Sequence, residues 1–150
     1  MTGENYHKLV DPSNYQVFLF CSPTNLPANF ARHLWFVCNE KGKISRWEVL
    51  CREKMKNHLF INLSPAFKGV AIFPFSDKWL WNAKLLYKTN GKLAEQMINF
   101  IETSQEKYPY CYQYSSMGPN SNTYIQWVLD HFPGFKARLP WNAFGKDYKK

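Results

Sequence analysis

Residues 33–51 read HLWFVCNEKGKISRWEVLC. HLWFVCN (33–39) and ISRWEVLC (44–51) are rich in aromatic and β-branched residues, which suits them to a pleated, half-buried surface. EKGK between them supplies a glycine for a tight reversal, so the stretch predicts a β-hairpin. That hairpin sets the fold class, because it commits the N-terminal half to antiparallel sheet.

Working outward, YQVFLFC (15–21) predicts a strand before the hairpin, and SPTNLPAN, with two prolines and two asparagines, predicts a loop between them. Further strands are expected at 58–63, at 69–75 and around 79–87, where Trp79, Trp81 and Leu85 also fit a short helix. KLAEQMINFIETSQEKY places Leu93, Met97, Phe100 and Ile101 on one helical face, bounded by Gly91 and Pro109. A last helix is expected from about Asn120 to His131. Its stripe is Tyr124, Trp127, Val128 and His131, widened by Ile125, Leu129 and Phe132, and Pro133-Gly134 ends it. Trp141 and Phe144 are expected to pin the irregular tail LPWNAFGKDYKK. The order predicts an α+β fold, with helices packed on an antiparallel sheet. The 150 residues are expected to form one domain, with 1–14 and 145–150 as peripheral tails.

Composition narrows the function classes. No apolar run reaches the ~18–20 residues a membrane-crossing helix requires, and MTGENYHKLV lacks the basic start and apolar core of a secretory signal. The expectation is a cytoplasmic protein with reduced thiols. The four cysteines, Cys21, Cys38, Cys51 and Cys111, form no CxxC pair, so neither a metal site nor a cofactor is expected. Cys38 and Cys51 read as small core residues on strands, and Cys111 falls in the YPYCYQY loop. The net charge of +8 favours anionic partners. The lysines are scattered, though, and no nucleic-acid-binding motif is present, which argues against nucleic acid.

GPNSNTYIQWVL (118–129) admits two readings. Asn120, Ser121 or Asn122 can cap the last helix by accepting its free N–H groups. Equally, a serine at a helix N-terminus is placed to react, with the N–H groups of Ser121 and Asn122 holding an oxyanion and Tyr114 or Gln113 adding a donor. Such a serine requires a base. His33, at the start of a strand, is the candidate, with Glu48 on the partner strand to orient it. The ordinary alternatives are a structural histidine and a solvated or salt-bridged carboxylate.

The pieces HLWFV, RWEV, YPY, GPNSNTYIQWV and LPWNAFGKDY, in this order, resemble an uncharacterised bacterial family, domain of unknown function number thirty-seven fifty. Its signature has the form H-x-W, R-W-E-V, PGPNSNTF and LPxxAxGKD. Met117 departs from it where proline or tryptophan-proline is usual, and Trp141-Asn142 where proline-threonine is usual. That family is in turn similar to circularly permuted papain-like hydrolases of the NlpC and lecithin:retinol acyltransferase types. This likeness implies a permuted papain-like fold, with His33 as base, Glu48 as the third polar group and Ser121 at the cysteine position.

Two functions follow as expectations. One is a hydrolase or acyltransferase acting on an amide or ester through Ser121, His33 and Glu48. The other is a non-catalytic module that binds a small anionic or acyl ligand at the helix start through Asn120, Asn122 and Tyr114, aided by Arg32 or Lys146. In either case the GKDY tail, with Lys146 and Asp147, serves as a lid or only as an anchor.

Overall fold

The structure is a computed structural model that describes residues 3–52 and 54–149. It is α+β. Five antiparallel strands run in the order β4-β3-β2-β1-β7, formed by β1 (Tyr15–Pro23), β2 (Arg32–Glu40), β3 (Lys43–Val49), β4 (Leu59–Ile61) and β7 (Lys84–Asn90). A second, two-stranded sheet pairs β5 (Lys68–Phe73) with β6 (Ser76–Asn82), and a short helix, α1 (Gly3–Tyr6), precedes β1. The hairpin read from residues 33–51 forms with Glu40 opposite Lys43. Its reversal places Lys41 and Gly42 at φ 49° and 97°, the two left-handed positions that match the twist of a two-residue hairpin loop.

Both faces of the large sheet are covered. Leu34, Phe36, Cys38, Trp47 and Val49 face a core shared with α2 (Gly91–Glu102) and α4 (Ser121–His131), which contribute Met97, Ile98, Tyr124 and Val128. The alternate residues Phe18, Phe20, Trp35 and Val37 face a smaller core with Phe67, Ala83 and Tyr6. Double coverage explains why the first two strands read as continuous apolar runs and not as an alternation.

Several expectations change on folding. The segment expected as one strand or a short helix around 79–87 is two strands broken at Ala83, which is buried in the smaller core and accepts a hydrogen bond from the Tyr6 hydroxyl. The helix of residues 91–107 breaks at Thr103, leaving Ser104–Lys107 as a separate short helix, α3. The Thr103 hydroxyl bonds back to the Asn99 and Phe100 carbonyls and the Ser104 hydroxyl to the Ile101 carbonyl, which is how such side chains interrupt helices. Cys51 lies beyond the end of β3 and is exposed, so it is not a core residue. Trp141 is 82% exposed and does not pin the tail; Ala143, fully buried, takes that place, with the Phe144 ring against Phe30. The chain ends are not wholly peripheral, since Tyr6 is buried and Gly145 sits against the Asn120 amide.

The small sheet is held close to β1 at Gly69, where an added Cβ would lie 2.7 Å from the Ser22 Cβ and 2.8 Å from the Trp81 carbonyl oxygen. Neither backbone can withdraw, so Gly69→Ala is expected to cost about 1–3 kcal/mol, read as a lowered midpoint in urea with the fold retained.

Candidate functional site

The geometry of the site follows from where β2 and β3 part. Their paired register ends at Phe36 opposite Trp47. Two residues further the same register would set Leu34 against Val49, but the start of α4 takes that place. The Ser121 hydroxyl donates to the Leu34 carbonyl at 2.6 Å and accepts the Val49 N–H at 3.2 Å. Next to it, Asn122 Oδ1 accepts the Leu34 N–H and its Nδ2 donates to the Arg32 and Phe144 carbonyls. Two side chains of the helix thus supply to β2 the partners a neighbouring strand would have supplied.

Asn120 is the helix cap. Its Oδ1 accepts the N–H groups of Asn122 and Thr123, and the Thr123 hydroxyl accepts the Asn120 N–H in return. Its Nδ2 donates to the Ser116 and Phe144 carbonyls. Capping, one of the two readings of GPNSNT, is therefore what Asn120 does. Ser121 and Asn122 do something neither reading foresaw, joining the helix to the sheet.

On the opposite face of the sheet, His33 Nε2 lies 2.7 Å from Glu48 Oε2. Arg46 binds both carboxylate oxygens, Nε to Oε1 at 2.7 Å and a terminal nitrogen to Oε2 at 2.8 Å. Its other terminal nitrogen donates to the Pro65 and Lys68 carbonyls, and the guanidinium lies 4.2 Å from the centroid of Trp35. Burial by itself would raise the Glu48 carboxyl, but hydrogen bonding and charge from His33, then from Arg46, outweigh it and hold the group at about 2. An ionised carboxylate only accepts, so the His33 Nε2 carries a proton and in the neutral ring Nδ1 is the bare nitrogen. Nδ1 makes no hydrogen bond among the described residues.

His33 and Ser121 meet a common cavity of about 540 Å³, arriving from opposite faces of the sheet. Leu26, Phe30, Met117 and Phe144 give it apolar walls. Asn120, Asn122 and Tyr114 line it as well, whereas Glu48 supports His33 from beneath and Lys146 and Asp147 lie outside the lining, paired with each other. Gln113 is also absent from the lining. Most polar groups expected here are already engaged: the amides of Asn120 and Asn122, the Asn122 N–H and the Ser121 hydroxyl. Those left without a partner among the described residues are His33 Nδ1, the Tyr114 hydroxyl, the Ser121 N–H and the part of the Arg32 guanidinium beyond the nitrogen that bonds the Asn29 and Ala31 carbonyls. Partial burial raises the Tyr114 phenol above its ordinary value. Arg46 was missed in the sequence. Its signal was present, since Arg46 and Glu48 stand two apart on one strand and so share a face.

Among the described residues no group of three His, Cys, Asp or Glu side chains is placed to hold a metal ion, and no helix is long and apolar enough to cross a membrane. The profile of a family described as a protein of unknown function (DUF3750) matches residues 14–148, and the chain belongs to that family. No curated protein and no solved structure matches the chain.

Two outcomes are expected. Ser121→Ala leaves the Leu34 carbonyl and the Val49 N–H without their bridge, a loss of about 1–3 kcal/mol read by chemical denaturation. Glu48, depressed from 4.5 to about 2, stabilises the fold fully above its unfolded value, and that contribution is lost as pH falls from there through the folded value. Thermal midpoints should drop over this acid window, and Glu48→Gln should lower the midpoint at neutral pH while flattening the acid slope.

Proposed function

We propose that the protein is a non-catalytic binding module whose cavity takes a small anionic or acyl ligand. The observation that carries this reading is the division of polar groups in the cavity. The serine hydroxyl is committed at both ends to backbone, while an arginine guanidinium and one imidazole nitrogen remain open beside apolar walls. The guanidinium suits a carboxylate or phosphate head, the bare Nδ1 accepts from a protonated oxygen or hydroxyl of the same ligand, and the walls of Leu26, Phe30, Met117 and Phe144 suit a short apolar body.

A second reading keeps the hydrolase or acyltransferase chemistry, and one observation favours it: His33, held by Glu48, and Ser121 open on the same cavity. To act, Ser121 must release the Leu34 carbonyl and the Val49 N–H and turn to His33 Nδ1, which gives up two buried hydrogen bonds before any chemistry begins.

Calorimetric titration with decanoate and with hexyl phosphate separates the readings. Binding is expected, weakened roughly tenfold or more in Arg32→Ala and weakened also in Phe30→Ala. Absence of binding by both probes rejects the module. Labelling of Ser121 by a fluorophosphonate, together with ester turnover that Ser121→Ala abolishes, would establish the second reading in its place.

A further inference from the structure

The β5–β6 hairpin lies outside the cavity and presents an unusual surface. At its two-residue tip, Pro74-Phe75, the Phe75 side chain is 97% exposed, with Phe73 at 47% and Trp79 at 57%. Lys78 stands 5.7 Å from the Trp79 ring centroid. Within the hairpin, residues 68–82, the lysines Lys68 and Lys78 are opposed by a single carboxylate, Asp77. The hairpin does not hang free of the fold: the Leu26 N–H donates to the Ile72 carbonyl, Asn25 Nδ2 to the Ala71 carbonyl and Trp81 Nε1 to the Thr24 carbonyl. Exposed rings are therefore held on a braced hairpin, and rings on a braced support lose little entropy on insertion.

We propose that this hairpin docks the protein on an anionic lipid surface, with Phe75, Phe73 and Trp79 entering the headgroup–acyl boundary and the hairpin lysines, Lys78 beside Trp79 foremost, facing acidic headgroups. Phenylalanine and tryptophan beside lysine is the composition of membrane-interface anchors, because the rings have apolar bodies and the ammonium reaches the headgroups. Charge favours an anionic partner, and the shape of the tip decides between lipid and protein as its occupant. A chain of net charge +8 is drawn to any negatively charged bilayer, and each lysine near the surface adds to that attraction. A projecting tip with one ring almost wholly exposed also fits a fluid, deformable partner, whereas a protein interface of ordinary size presents a broad complementary patch. The inference stands apart from the cavity reading, since neither the hairpin rings nor its lysines line the cavity.

The test is cosedimentation of the whole protein at low salt with vesicles of phosphatidylcholine alone and of phosphatidylcholine mixed equally with phosphatidylglycerol, with tryptophan emission recorded in parallel. Binding is expected to the anionic vesicles and not to the neutral ones, with a blue shift of the emission. Phe75→Ser should weaken it roughly tenfold or more, and the triple change Phe73→Ser, Phe75→Ser, Trp79→Ser should abolish it. These side chains are exposed, and circular dichroism confirms that the variants remain folded. Failure to bind the anionic vesicles overturns the proposal and leaves the tip to a protein partner. Binding that the triple change leaves intact overturns it too, because that is charge attraction by any basic surface.

Discussion

The hydroxyl of Ser121 stands between two strands that would otherwise bond to each other. A hydroxyl has one proton to give and lone pairs to receive, so it joins the Leu34 carbonyl to the Val49 N–H across a widened gap. With the Asn122 amide bonding the next groups along β2, the helix start keeps the strands apart without leaving backbone polar groups unpaired in the interior. The same helix start, with Ser121 and Asn122, lines the cavity. His33, near the start of β2, lines it too while its Nε2 stays bonded to Glu48 of β3.

The opposite face of the sheet depends on a second constraint. Arg46 is wholly buried and Glu48 nearly so, a costly placement for charge unless each is fully paired. Each is: the guanidinium grips both carboxylate oxygens, bonds two carbonyls of the segment leading into β5 and lies on Trp35. The same carboxylate orients His33. One buried ion pair thus ties the segment before β5 to the main sheet and fixes which imidazole nitrogen is bare.

Much of this was legible in the residues themselves. The hairpin of 33–51 follows from its β-forming residues and from Lys41-Gly42 accepting left-handed backbone. The last helix follows from its periodicity and from Asn120, whose side chain is suited to cap it. The pairing of His33 with Glu48 was accessible because adjacent strands bring such residues together. The role of Ser121 was not, because a serine beginning a helix looks the same in sequence whether its hydroxyl faces a base, solvent or a gap between strands. Trp141 misled for a related reason: a large ring signals burial on average, yet Ala143, two residues on, fills the available space.

The sequence by itself determined the α+β class, the antiparallel hairpin, the buried final helix and the membership of its family, since each rests on local preference, on periodicity or on short motifs. Only the tertiary structure decided the state of the site. Which hydroxyl is consumed, which guanidinium is buried and which remains open, and whether a strand residue and a helix residue, His33 and Ser121, reach the same cavity, all depend on how the start of α4 packs against β2 and β3. That is a matter of long-range packing among segments some ninety residues apart, such as Arg32 and Asn122, and no local rule encodes it.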